Sequence, residues 1–558
     1  MNLSEATPKP VIQLGPRGQL VLLLVSGLLL GLSYPRPNVW LLAYIGLAPM
    51  TVAALRARSY RSVGLISWLA GWAWWLVMIR WMIAVTGPGY VALSAFMGVY
   101  WTGYVLVLRL IDQRFGWPRV FSVPLVWVGF EYLRGIFLSG FPWFNLGHSQ
   151  PAVMIQIADV TGSYGVSFLV AMVNGAIVDL LTRPLINPMT QRWTSVVRLS
   201  ATAALAGLII TLAYGAWRMN QPVDGDVIRV ALVQTNVPQS NKVFPTDEQD
   251  LKNFQRMMTL TQQSLAGEPD LIVWPETMVP RALNDESLAM FRRLAAPYLK
   301  FHDDLVNFAQ EHEVAMLVGA HAMEGWPPFD PARASYHPTH RFNAAYLVDP
   351  TGRIADRYDK IHRVPFGEYI PWVESIPPLK KLLLNLTPYK TDYTLRAGEK
   401  FTRFTVTTKD HAWRLSAPIC FEDVVSDVPR KMVWADGAKQ LDLLVNLSND
   451  GWFAGTAQCL QQEQIARFRC VENRVPMARA VNTGVSGWID STGRLLGNVT
   501  VDGLTQDIDG QATGTLHRDT RTTLFSRIGD WPGVICLIVT AGLTVGLFAK
   551  KLWHRKPS

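Results

Sequence analysis

Three stretches of this chain each run from apolar residues into a side chain able to do acid–base or nucleophilic chemistry. Leu271-Ile272-Val273-Trp274-Pro275-Glu276 ends in a carboxylate and Arg357-Tyr358-Asp359-Lys360 in an amine. Leu415-Ser416-Ala417-Pro418-Ile419-Cys420 ends in a thiol, followed at once by Phe421-Glu422-Asp423. A thiol needs a base before it can attack, and a buried carboxylate can take its proton near neutral pH. An ammonium beside a reacting carbonyl supports thiolate and oxyanion alike. Glu368, in Pro365-Phe366-Gly367-Glu368, could hold such a lysine in place. Taken singly, each residue has a plainer reading. Most lone cysteines are small buried hydrophobes, and many strands end in surface charge. The chemistry depends on whether the three strand ends meet.

The elements that would bring them together alternate between strand and helix. Val227 to Gln234 is a β-rich run, and Asp270 to Trp274 a short buried strand. Thr246, with Gln249 three residues on, starts a helix that continues to about Leu265. A second helix is predicted around Lys300 to Glu311, then a strand from Val314 to Gly319. Asn343–Asp349 and Arg353–Arg357 form a predicted hairpin turned at Pro350-Thr351-Gly352. Strands follow at Trp413–Ile419 and Leu441–Leu447, a helix at about Gln458–Glu472, and strands at Met477–Val481 and Val485–Ile489. Near-continuous apolar runs mark strands buried on both faces, as in an α/β sandwich. Pro418 fits only a sheet edge or a strand end. The stretch 326–340, rich in Pro and His, is the predicted mobile loop.

The remainder of the chain is of another kind. Only 17% of the 558 residues are charged, below the roughly quarter usual in soluble domains, so part of the chain lies in lipid. Apolar segments fall at about 19–35, 39–55, 62–84, 89–110, 120–138, 164–182 and 199–217, with an eighth at about 531–549. Each approaches the roughly 20 residues that a spanning helix needs. Lys and Arg gather before the first segment, in alternate loops (Arg56 to Arg61, Arg109 to Arg119, Arg183 to Arg198) and after the last. That pattern places both termini in the cytoplasm and the stretch from about 220 to 525 on the opposite, in a bacterium periplasmic, face. The expected division is 1–220, 221–525 and 526–558. The net charge of +9 sits at the ends of apolar segments, which argues against a nucleic-acid partner.

Cys420, Cys459, Cys470 and Cys536 form no disulfide framework by number or spacing. Cys459 and Cys470 lie about three turns apart on one predicted helix, too far to bridge, and Cys536 sits within an apolar run. Glu131 and Arg134 share one face of the fifth apolar helix. Such a pair either locks helices together or marks a polar cavity. Gly140-Phe141-Pro142-Trp143-Phe144 reads as an interfacial aromatic belt or as the mouth of a lipid-admitting cavity.

Trp274-Pro275-Glu276, Tyr358-Asp359-Lys360 with Val364-Pro365-Phe366-Gly367-Glu368, and Ile419-Cys420-Phe421-Glu422 together resemble the Glu–Lys–Cys signature of the nitrilase, or carbon–nitrogen hydrolase, superfamily. Asn446-Leu447-Ser448-Asn449-Asp450-Gly451-Trp452-Phe453 resembles the segment that follows in one branch. With eight spans around the domain, that branch is the apolipoprotein N-acyltransferase family. The resemblance implies a nitrilase-like α-β-β-α sandwich joined to a bundle of about eight transmembrane helices. It implies Cys420 as nucleophile, Glu276 as general base and Lys360 as oxyanion stabiliser, with Glu368, Phe421, Glu422 and Asn449 in support. Phe141, Trp143 and Phe244 would contact substrate.

The activity so implied moves an acyl chain from a membrane phospholipid, phosphatidylethanolamine in the family, onto a Cys420 thioester. From there it passes to the α-amine of a diacylglyceryl-cysteine apolipoprotein. No metal or organic cofactor is required, and a monomer in the bacterial inner membrane is expected to suffice. Three positions depart from the family pattern: Phe421 replaces a frequent Tyr, Val243-Phe244 stands where a Trp is usual near Lys242, and Gln461-Gln462 where His is usual. Two other readings stay open. One is a membrane-tethered amidase or nitrile hydrolase that passes the acyl group to water. The other is a non-catalytic receptor or transporter, which would leave Glu276, Lys360 and Cys420 unexplained and lacks the paired interrupted helices of transporters.

Overall fold

Backbone placed in lipid must satisfy its own hydrogen bonds, and the apolar first half of the chain does so as helices. The computed structural model describes residues 13–187, 192–223, 225–240, 246–294, 298–329, 336–370, 376, 378 and 393–553. Within them, five helices are long and apolar enough to cross a membrane: Pro16–Ser33, Gly87–Phe115, Arg119–Ser139, Ala158–Thr182 and Ser195–Met219. The remaining apolar segments are also helical but do not meet that standard. Tyr60–Met78 carries Arg61 and four tryptophans, which lower its hydropathy. Trp531–Leu547 is a shorter apolar stretch, and Trp40–Arg56 is interrupted. By length and hydropathy, five helices among the described residues are suited to cross a membrane, against an expected count of eight.

The interruption has a local cause. Pro49 lacks an amide N–H and suits the first turn of a new helix, so Ala43–Gly46 ends and Ala48–Arg56 begins afresh. The amides of Leu47 and Ala48 donate to Oδ1 of buried Asn174, whose Nδ2 donates to the Ala43 carbonyl. One side chain therefore satisfies the broken turn. Helix contacts rely on small residues, as expected where lipid offers no hydrophobic drive. A Cβ on Gly98 would come within 3.0 Å of the Trp72 amide and the Trp68 carbonyl, so Gly87–Phe115 packs directly on the backbone of Tyr60–Met78. Cys536 is a packing residue: its carbonyl lies against Gly129 and its side chain is buried.

Among the described residues the second half carries twelve longer strands: β1 Val227–Gln234, β2 Leu271–Val273, β3 Ala315–Glu324, β4 His340–Val348, β5 Ile354–Asp359, β6 Phe404–Thr407, β7 Ala412–Ser416, β8 Leu443–Asn449, β9 Met477–Asn482, β10 Gly487–Ile489, β11 Leu495–Asn498 and β12 Gly510–His517. They form two six-stranded sheets, in the orders β12-β1-β2-β3-β4-β5 and β11-β10-β9-β8-β7-β6. The centre of each is parallel (β1 with β2 and β2 with β3; β7 with β8 and β8 with β9), and antiparallel strands close the edges.

Alternation along the strands sorts the layers. Ile228, Val230, Leu232, Leu271 and Val273 share one core with Leu415, Leu443, Val445 and Met477 of the other sheet. Ala231, Val233 and Ile272 instead join Phe254 and Met257 of the helix Asp247–Ser264 and Leu305 and Phe308 of the helix Leu299–Glu311. The helices Asp427–Val433 and Gln458–Asn473 complete the opposite side. The arrangement is a four-layer α-β-β-α sandwich.

The helix Gln458–Asn473 is also the seam with the membrane half. Gln461 accepts from the indole of Trp143 and donates to the Pro35 carbonyl, and Gln464 donates to the Gln150 carbonyl. Just beyond its end, fully buried Arg474 pairs with fully buried Asp159 at 2.7 Å and donates to Gln156. Glu131 and Arg134 make no ion pair with each other. Glu131 accepts from the Leu146 amide and the Trp127 indole, while Arg134 donates to Asn145. Together they clamp the segment that carries Phe141 and Trp143 against the membrane helices.

Candidate active site

Each of the three expected residues leaves the carboxyl end of a strand. Glu276 follows β2, and its backbone lies across β3 at Gly319, where a Cβ would fall 2.7 Å from the Glu276 Cα. Lys360 follows β5, and its amide donates to the Asn343 carbonyl of β4. Cys420 follows β7 through Pro418, at a strand end as the sequence requires, with an isolated bridge between Ile419 and Leu447.

Cys420 turns the chain sharply, at a φ of 51°, a left-handed conformation that costs a non-glycine residue roughly 1–2 kcal/mol. Surrounding bonds hold it there. Asn446 and Gln462 donate to its carbonyl, and the Ile419 amide donates to Glu422.

The side chains converge. The Lys360 ammonium, 1% exposed, donates to Glu368 Oε1 at 2.8 Å and lies 3.6 Å from Glu276 Oε1. Asn343 Nδ2 bridges the same two carboxylates, at 2.6 Å and 3.1 Å. The second Glu368 oxygen accepts from the Val364 amide. Burial works against the Lys360 charge, but Glu368, Glu276 and Cys420 outweigh it and raise its pKa, so it stays an ammonium. The Cys420 thiol is raised well above its ordinary value, first by burial and then by the Glu276 charge, with Lys360 opposing. It rests as a thiol beside a carboxylate and an ammonium.

That coupling has a measurable sign. Glu276→Gln should move the pH at which iodoacetamide alkylates Cys420 downward, because one charge that disfavours the thiolate is gone. Mass spectrometry of the Cys420 peptide across pH 6–10 reads this, and an unchanged or upward profile would contradict the coupling.

Glu422 is fully buried and accepts from the Tyr358 hydroxyl and from the amides of Ile361, His362 and Ile419. Burial pushes its pKa up to about 7 while these donors pull it down. One carboxylate thus ties the turn after Lys360 to the turn at Cys420. Glu422→Gln would set an amide N–H against those donors. The expected cost is about 2–3 kcal/mol, read as a fall in Tm with secondary structure retained. Asn449 bonds Gln239, the Gly451 amide and Asn482; it braces a neighbouring loop rather than the three-residue cluster. Phe244 lies outside the described residues.

The membrane half supplies a wall to the same site. Phe421 lies nearly parallel to Trp143 at 6.3 Å and 8°, and stacks on Phe141 at 6.5 Å. Trp81 meets both Trp143 and Phe453. An aromatic surface therefore runs from the membrane helices to the residue after the thiol.

Family models match both halves of the chain: the apolipoprotein N-acyltransferase N-terminal domain over residues 26–176, and carbon-nitrogen hydrolase over residues 229–520. An apolipoprotein N-acyltransferase of Geobacter metallireducens is 31% identical over 97% of this chain and 97% of its own length. The chain belongs to the apolipoprotein N-acyltransferase family. It is an acyltransferase of the carbon–nitrogen hydrolase superfamily, with apolar helices suited to a membrane. The Allorhizobium ampelinum member is 29% identical over 87% of this chain and 86% of its own. The crystal structure of an amidase from Nesterenkonia sp. aligns with 52% of this chain and 91% of its own at 17% identity, with a TM-score of 0.35.

Phe421, Gln461 and Gln462, which the sequence reading set apart, make specific contacts here. Phe421 offers no hydroxyl but provides the ring that meets Trp143. Gln461 and Gln462 anchor the Trp143 indole and the Cys420 carbonyl. Sequence reasoning did not single out Asn343, His362 or Asp450. Asn343 was detectable as a polar residue inside the buried run Phe342-Asn343-Ala344-Ala345, on the strand paired with the one that ends at Lys360. Asp450 is buried, its pKa pushed up to about 6 by desolvation, and its charge further disfavours the Cys420 thiolate.

Proposed function

We propose that Cys420 attacks an acyl ester of a membrane phospholipid, phosphatidylethanolamine by family analogy, and that Glu276 takes the thiol proton. Lys360, held by Glu368, stabilises the oxyanion, and Glu276 gives that proton to the departing lysophospholipid oxygen, which leaves the carboxylate free for the second half-reaction. The α-amine of a diacylglyceryl-cysteine on an apolipoprotein then attacks the thioester. Glu276 accepts an amine proton and returns it to the departing sulfur, so the acyl group ends as an amide. One site used twice predicts ping-pong kinetics.

The observation that carries this reading is the continuous aromatic wall from Trp81 and Trp143 to Phe421 beside the thiol. A long acyl chain can stay among apolar rings while its carbonyl reaches Cys420. The Lys and Arg distribution supports a periplasmic catalytic half, cytoplasmic termini and residence in the bacterial inner membrane. The reading requires only a single copy of the chain.

The test is product analysis with acyl-labelled phosphatidylethanolamine and a diacylglyceryl-cysteine peptide. An N-acylated lipopeptide with lysophospholipid is the expected outcome. Labelled free fatty acid alone would mean that water is the acceptor and would overturn the transferase reading.

A further inference from the structure

Among the groups that the steps above leave unused, His362 stands beside the chemistry. It follows Lys360 by two residues, and its amide is fixed by Glu422 at 2.9 Å, so its backbone is tied to the turn that carries the thiol. Its ring stacks on Phe421 at 6.1 Å and 24°, on the residue adjoining Cys420. Its Nε2 is buried with no hydrogen-bond partner among the described residues. Buried polar atoms are satisfied in roughly nine cases in ten, so an open nitrogen here is free to accept from an incoming donor.

The charged groups around the ring are Lys360, Glu368 and Arg363. Burial first, and then Lys360, push its pKa down to about 4. The ring is neutral at pH 7 and can accept a hydrogen bond there. The amine attacks in its neutral form, the only one with a lone pair, and a neutral ring can accept an N–H from it.

Building on the reading under Proposed function, we propose that His362 receives the acceptor: Nε2 accepts a hydrogen bond from the α-amine as its lone pair attacks the thioester carbonyl. The new C–N bond forms, the carbonyl pair moves onto oxygen, and its return expels the Cys420 sulfur. The proton lost from nitrogen travels through Glu276 to that sulfur. His362, protonated at Nδ1 throughout, gains and loses nothing. It orients the nucleophile.

The test separates the two half-reactions in the full-length protein reconstituted with acyl-labelled phosphatidylethanolamine. His362→Phe keeps a ring against Phe421 but removes the acceptor nitrogen; His362→Gln restores a hydrogen-bond acceptor. Acyl-enzyme formation is expected within about threefold of wild type for both. Discharge to a diacylglyceryl-cysteine peptide should slow roughly tenfold or more in His362→Phe, with partial recovery in His362→Gln. Discharge to dithiothreitol, which brings no N–H, should be unchanged. Unaltered discharge to the peptide would overturn the proposal. So would equal slowing toward dithiothreitol, which marks a merely structural role, or slowing confined to acylation, which marks a donor-side role. If wild type forms no acyl-enzyme at all, it is the thioester reading that fails, a result distinct from each of these.

Discussion

Cys420→Ala should yield a folded protein that traps no acyl group and turns over on the order of 10⁴-fold more slowly or worse. The fold is expected to survive because the bonds that hold this turn run to backbone: Asn446 and Gln462 to the Cys420 carbonyl, and the Ile419 amide to Glu422. Alanine tolerates the left-handed turn no worse than cysteine does. The chemistry should vanish because no other thiol is placed to substitute. Cys459, Cys470 and Cys536 are all buried elsewhere. Incubation with phospholipid labelled in its acyl chain, followed by hydroxylamine release, measures the adduct. Equal label on wild type and Cys420→Ala would remove the covalent step from the mechanism.

Lys360→Met is the second substitution with a large expected effect, and it should damage stability as well as rate. In the intact protein the ammonium sits between Glu276 and Glu368, with Asn343 bridging the same pair. Without it the two carboxylates lose their shared cation and keep only neutral donors such as Asn343 and, for Glu368, the Val364 amide. Removing one partner of a buried ionic cluster costs about 3–5 kcal/mol, and loss of the oxyanion partner about 10²–10³ in rate.

The pH dependence discriminates between causes. The folded pKa of Lys360 lies above its unfolded value, so its stabilisation is fully present below the unfolded pKa of about 10.4. It fades only as pH rises through the folded value. Wild type should therefore show no loss from this group between pH 5 and 9. In the variant the stranded carboxylates favour protonation, so the gap in Tm from wild type should narrow as pH falls. A gap that is constant or widens in acid would mean that the ammonium does not compensate these carboxylates.

Much of this site was legible because strands and helices obey local rules. Val227–Gln234 is a strand of the bounds its β-rich run suggests, and Thr246 caps its helix by accepting from the Gln249 amide. The hairpin that leads to Lys360 turns where Pro350-Thr351-Gly352 places it. What escaped reading depends on partners distant in sequence. Gly510–His517 carries two glycines and alternates weakly, yet it forms a full edge strand because β1 offers it a partner along its whole length. Asn343 looks like the mere start of a strand until Glu276 and Glu368 arrive at its amide. Phe141 and Trp143 read equally well as a lipid belt, and only their stacking on Phe421 joins them to the thiol. Glu131 and Arg134 looked like partners for each other, whereas the backbone and Asn145 of the next segment claim them.

The helix Gln458–Asn473 has one more implication. It props the turn at Cys420 through Gln462, grips Trp143 through Gln461, and leads directly into Arg474, whose countercharge, Asp159, belongs to the other half. The second half therefore cannot be excised as a free-standing hydrolase. Cut from its helices, it would keep Arg474 on the Ser491 carbonyl but without its carboxylate, and its reactive pocket would have lost one side. Any solubilised or miniaturised version must bring the loop from Gly140 to Gln150 and the helix start at Asp159 along with it.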